Sequence, residues 1–151
     1  MSTPHPWAGG PHPWRAYRDA YPHVNVYWRD LGRGIRARTD GVSKVWQSTK
    51  TLQVERRCAA RHEQEHLDAG HDGCVGGTME ARIRFRAAQW LCPDPRKVAD
   101  AIIWAGGDKI QAADHLWLDV PTFEARVDPR FMHIAERRLI SQLVRDEQQH
   151  P

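Results

Sequence analysis

A chain of 151 residues, 40% of them hydrophobic, is one ordinary domain's length, long enough for one real core. No apolar run approaches the roughly 18 residues needed to span a membrane. The net charge is +3, and the positive charge is carried by eighteen Arg against four Lys, a bias that GC-rich coding alone would produce and too modest to assign a nucleic-acid partner.

Met1 to Gly10 reads as two Pro-rich turns and not as a basic-then-apolar leader, and residues 1–22 contain the small repeat His5-Pro6-Trp7 and His12-Pro13-Trp14. Residues 1–12 read as a mobile Pro-rich arm and 13–151 as one domain. The three cysteines, Cys58, Cys74 and Cys92, are odd in number and lack C-x-x-C spacing. They argue against a disulfide framework and for the cytoplasm.

A short helix is expected from Pro13 to Ala20, pinned by Trp14, Tyr17 and Tyr21. Between 24 and 50 the period changes to two. Val24, Val26 and Trp28 alternate with Asn25, Tyr27 and Arg29, and turns at Leu31-Gly32-Arg33-Gly34 and Asp40-Gly41 separate further strands at Ile35–Arg38 and Val42–Thr49. The expected sheet is small, three-stranded and antiparallel. A helix from about Leu52 to Ala69 follows, with Gly70 as its C′ residue. A second helix runs from Thr78, read as its N-cap, to Leu91, carrying Ile83, Ala87, Trp90 and Leu91 on one face. A helical tail then occupies 94–148. Asp94-Pro95 opens a helix ending at Gly106-Gly107, Asp108 caps the next with Gln111 in a box-like position, Pro121 starts a short one, and Asp128-Pro129 leads a last helix from about Arg130 to Glu147. Sheet first and helices after make an α+β domain with a C-terminal helical bundle.

The first long helix contains His62-Glu63-Gln64-Glu65-His66, an H-E-x-x-H sequence. Four residues are roughly one turn, so both imidazoles leave one face and can meet one metal ion, with Glu63 placed to take a proton from a water there. Among nine histidines, the pentapeptide arises by chance on the order of a few per cent of the time, so its context decides. Catalytic zinc takes three protein ligands and leaves a position open. Glu80, His71, Cys74, Asp72 and Cys92 are the candidates for the third. Glu80 is preferred, because a carboxylate continuing the apolar face of Ile83 and Ala87 needs a partner. Its competing role is to complement the macrodipole at a helix start. Glu55 and Asp68 are candidates to orient the ligand histidines, or are solvated helix charges.

The segment Glu55-Arg56-Arg57-Cys58-Ala59-Ala60-Arg61-His62-Glu63-Gln64-Glu65-His66-Leu67 resembles the motif helix of the ImmA/IrrE metallopeptidases, in which a similar E-R-R-C leads into H-E-x-x-H. The resemblance extends upstream through Val26-Tyr27-Trp28-Arg29-Asp30-Leu31 and Thr39-Asp40-Gly41. Downstream it includes Met79-Glu80-Ala81-Arg82 with Ala87-Ala88-Gln89-Trp90-Leu91, then Ala112 to Leu118 and Glu136 to Leu139. It covers about residues 11 to 145 and is to the short form of the family, the kind found in phages and mobile elements. Arg61 and Gln64-Glu65 stand where the family commonly has small or apolar residues.

This resemblance implies a zincin-like fold, Zn2+ held by His62, His66 and Glu80, and Glu63 as catalytic base. The zinc would lower the pKa of water from 15.7 toward roughly 7 and polarise a peptide carbonyl. His71, His115 and Tyr27 are candidates to stabilise the tetrahedral intermediate. The implied substrate is a helix-turn-helix repressor whose cleavage relieves repression. Two other functions compete with endopeptidase activity: a catalytically inactive interaction regulator, and a helix-turn-helix-like DNA-binding protein built on residues 97–127. The second is disfavoured, because Pro121 to Val127 offers only Arg126 to a groove.

Overall fold

The structure, a computed structural model, describes residues 11–72 and 75–150. The expected arm therefore lies, except for Pro11 and His12, outside the described residues. The first helix, α1 (Pro13–Asp19), is followed by strands β1 (Asn25–Arg29), β2 (Ala37–Thr39) and β3 (Lys44–Ser48). The helices α2 (Gln53–Ala69), α3 (Gly77–Leu91), α4 (Pro95–Trp104), α5 (Lys109–His115), α6 (Val120–Arg126) and α7 (Ile134–Gln149) complete an α+β chain that is largely helical. No described helix is long and apolar enough to cross a membrane.

The sheet is mixed, not antiparallel. Its order is β1-β3-β2; β2 and β3 form an antiparallel hairpin in which Thr39 opposes Val45, while β1 runs parallel to β3 with Val26 opposite Val45. The residues between β1 and β2 carry the chain past the end of β3, so consecutive strands are not neighbours and β3 becomes central. Sequence periodicity reports which face a residue takes, not which strand lies beside it. The Asp40-Gly41 turn closes the hairpin: Asp40 Oδ1 accepts from the N–H groups of Val42, Ser43 and Lys44, each at 2.9 Å.

Helix α2 lies between two cores. On one side Ala60 joins Tyr17, Tyr21 and Val45, with Trp14, Val24, Val26 and Leu67 packed against them. On the other, Cys58 joins a helical core that includes Leu91, Val98, Ala101, Ala113, Leu118, Phe123 and Ile140. A helix packed on both sides must bury its polar positions too, and a buried charge persists only when paired. Arg61 pairs with Glu65 one turn on, reaches Gln64 at 3.3 Å and lies 4.3 Å over the Trp90 ring. Gln64 in turn donates to the Pro13 carbonyl at 2.9 Å. Arg61, Gln64 and Glu65 are thus interior, and Gln64 ties α2 to the first helix.

The helix starts follow the expected chemistry, with two corrections. Asp94, Asp108 and Asp119 accept from the backbone N–H of Arg96, Gln111 and Thr122. Helix α3, however, has Gly76 as N-cap and no side-chain cap, so Thr78 does not serve. Helix α7 begins at Ile134 behind His133, whose Nδ1 accepts from Ala135. Asp128 instead closes a local turn, accepting from Arg130 N–H at 3.0 Å, and Phe131 leaves the helix to pack on Phe85.

Candidate metal centre

Helix α2 presents Ala59, His62, Glu63 and His66 to a cleft of about 860 Å³. Its other walls come from β2 and the residues before it (34–40), from Glu80, Arg84 and Ala87 of α3, and from Asp119, Pro121 and Thr122 at the start of α6. The packing of α2 against both β2 and α3 creates this arrangement. Edge strand and second helix face each other across the motif.

Glu80 is the candidate that reaches the two histidines. It is buried in the first turn of α3, with Oε1 2.8 Å from His62 Nε2 and Oε2 3.3 Å from His66 Nε2. The two Nε2 atoms are 3.1 Å apart. Among the described residues, His62, His66 and Glu80 are the group whose ligand atoms converge closely enough to hold a metal ion. Tetrahedral zinc with ligands at about 2.0–2.1 Å separates neighbouring ligand atoms by about 3.3 Å. The observed separations are close to that edge length. The residues fit the ion.

The other candidates are placed elsewhere. Asp72 lines the cleft but is exposed and outside the converging group. Cys92 is buried at the end of α3 in the helical core, where burial pushes its thiol pKa up. Cys74 lies outside the described residues. His71 faces the other edge of the His66 ring, Nδ1 to Nδ1 at 3.2 Å, opposite to the nitrogen that meets Glu80.

Glu63 lines the cleft and is 5% exposed. Burial raises its carboxyl pKa to about 7, with His62 opposing and Glu80 reinforcing the shift. Desolvation penalises the anion, and a base poised near neutrality is what proton transfer at ordinary pH requires. His66 moves the other way: burial lowers its pKa, His62 and His71 add to that, and Glu80 opposes it. A neutral imidazole is the form that ligates a metal.

Neither Glu55 nor Asp68 orients a ligand histidine. Glu55 accepts from the Leu52 N–H at the start of α2 and pairs with Arg36 at 3.4 Å, while Asp68 accepts from the Tyr21 hydroxyl at 2.7 Å. His115 stacks on Trp104 and Tyr27 on Trp46, both outside the cleft lining. The sequence reading missed Arg36, whose guanidinium pairs with Asp119, both lining the cleft, and Trp46, which also lines it. Asp119 was readable, since an Asp shortly before Pro121 repeats the start signal at Asp94-Pro95.

The chain matches no protein-family model, no curated protein and no solved structure.

Proposed function

We propose that this protein is a zinc-dependent endopeptidase of the ImmA/IrrE kind, with His62, His66 and Glu80 as ligands and Glu63 as catalytic base. The observation that carries the reading is the convergence of His62, His66 and Glu80 beside a buried Glu63 in one open cleft. Two of these ligands come from one helix and the third from the next, so the grouping is a property of the packing and not only of the motif.

A bound zinc ion would supply Lewis-acid polarisation of a carbonyl and acidify an adjacent water. Glu63, desolvated by its surroundings, accepts the proton of the attacking water and returns it to the departing amine. His62 and His66 remain neutral, and Glu80 supplies one negative charge to balance the ion. The edge strand β2 borders the cleft, so an extended segment of a protein substrate laid along it would present its backbone to Glu63. A helix-turn-helix repressor, cleaved in the cytoplasm, is the substrate implied by the family likeness.

The burial of Arg126 favours this reading over DNA binding. That residue was the one cation available to a recognition helix, and it is 0% exposed and held by the Cys92 carbonyl, the Pro93 carbonyl and Glu136. An interior guanidinium does not reach a major groove.

The test measures zinc per chain and repressor cleavage for the wild type and Glu63→Gln. We expect near one zinc in both and turnover reduced about 10²–10⁴-fold in the variant, the usual contribution of a positioned base. A folded wild type that cannot be loaded with zinc would sink the proposal; zinc binding with no cleavage of any repressor by the wild type would leave an inactive regulator.

A further inference from the structure

We infer that His71 is the positioning residue that sets the tautomer and orientation of His66, an inference that rests on the zinc reading of the site above. A histidine ligating through Nε2 must carry its proton on Nδ1, and that N–H needs an acceptor to fix the ring. Carboxylates and carbonyls are the usual acceptors. Here the ring nitrogen facing His66 Nδ1 at 3.2 Å belongs to His71, and the ring centroids are 5.4 Å apart.

Three features hold His71 in that place. First, Gly70 ends α2 in the left-handed conformation, φ 70°. The Gly70 N–H donates to the Leu67 carbonyl at 3.1 Å and the His71 N–H to the His66 carbonyl at 2.9 Å. This pair of bonds is a Schellman closure, which turns the chain back over the last turn of the helix. His71 is thereby tied to His66 twice, backbone to backbone and ring to ring. Second, the Asp40-Gly41 turn packs on it from the sheet side: a Cβ on Gly41 would stand 2.4 Å from the His71 carbonyl oxygen. Third, His71 is half-buried, so the contact with His66 is partly shielded from competing water.

The direction of the hydrogen bond follows. With His66 Nδ1–H donating, His71 Nδ1 is the acceptor, and the tautomer of His71 that accepts there carries its proton on Nε2. His66 Nε2 is left as a lone pair aimed at Glu80 and His62. His71 does not share the metal, because it lies on the opposite edge of the His66 ring. The loop histidine supplies the orienting acceptor that neither Glu55 nor Asp68 supplies.

The experiment compares zinc affinity, by competition with a chromogenic chelator, in the wild type, His71→Ala and His71→Asn. The Asn side-chain oxygen can accept near the position of Nδ1. We expect a loss of about 10–100-fold in His71→Ala, the usual effect of removing an orienting partner, and recovery to within a few-fold in His71→Asn. Nitrogen-15 NMR of the zinc-loaded wild type, which needs no variant to fold, should show His66 protonated on Nδ1 and His71 on Nε2. Wild-type affinity in His71→Ala, equal losses in both variants, or His66 metallated through Nδ1 would overturn the assignment of His71 while leaving the zinc site standing. A wild type that takes up no zinc would overturn both readings.

Discussion

His62 and Glu80 meet across two helices, His62 Nε2 lying 2.8 Å from Glu80 Oε1, so an ion held at this position would clamp α2 to α3. Binding to the folded state alone stabilises it by mass action, about 2.7 kcal/mol at a free zinc concentration 100 times Kd. Zinc is therefore expected to raise the melting temperature of the wild type, and a chelator to reverse the rise. His62→Ala and Glu80→Gln should lose most of that shift while melting cooperatively in its absence. An unchanged melting temperature across a zinc titration would contradict the clamp.

Gly41 and Gly70 separate two costs of replacing glycine. Both have positive φ, 75° and 70°. Around Gly70 nothing lies within 4 Å of a built Cβ, whereas at Gly41 the His71 carbonyl oxygen and carbon lie at 2.4 and 2.6 Å. Gly70→Ala should cost only the left-handed penalty, about 1–2 kcal/mol. Gly41→Ala should cost more, because backbone has to move, and should also weaken zinc binding by displacing His71. Urea unfolding of the two zinc-free variants gives the order directly; equal losses would show that the hairpin turn does not press on His71.

Arg126 is expected to be among the most sensitive positions outside the cleft. Its guanidinium donates to the Cys92 carbonyl at 2.6 Å and pairs with Glu136. Arg126→Met would keep much of the volume and leave Glu136 and the end of α3 without their donor. Removing one partner of a buried pair costs about 3–5 kcal/mol. The loss should appear as a lower urea midpoint; a change below about 1 kcal/mol would mean that solvent reaches Glu136 and replaces the guanidinium.

Alkaline pH should destabilise the fold through groups that are buried neutral. Burial pushes the Cys58 thiol from its ordinary 9.0 up to about 11, with Asp119 adding to the shift. Burial likewise raises the Tyr21 hydroxyl from 10.0 to about 12, helped by its hydrogen bond to Asp68. The folded state holds these protons more tightly than the unfolded chain, so the stability they contribute is complete below pH 9. It is lost between pH 9 and 11 for Cys58 and between 10 and 12 for Tyr21. For Cys58 the loss is on the order of 2–3 kcal/mol. Urea midpoints of the zinc-free protein from pH 8 to 11 should fall accordingly, and Cys58→Ala should flatten the first part of the decline. The same burial predicts that Cys58 and Cys92 react with thiol reagents only as the chain unfolds.

The elements that could be read in advance are those settled by neighbours in the chain. Two histidines one turn apart share a face whatever surrounds them, Gly70 accepts a left-handed angle that a side chain resists, and Asp94, Asp108 and Asp119 cap helices through bonds only a few residues long. Glu80 was legible as a carboxylate beside an apolar stripe and was preferred over His71 and Asp72 on that ground, but its approach to both histidines depends on how α3 packs on α2. The strand order was illegible for a similar reason: period two assigns faces, and only the path of the chain around the end of β3 made β1 its parallel neighbour. Nothing in the local sequence placed the polar residues Arg61, Gln64, Glu65 and Arg126 in the interior, where they lie, since burial is decided by what packs on a helix from outside it. His71 is both cases at once. The turn that brings it back is local and marked by Gly70, whereas its hold on His66 depends on the hairpin that closes over it from the sheet.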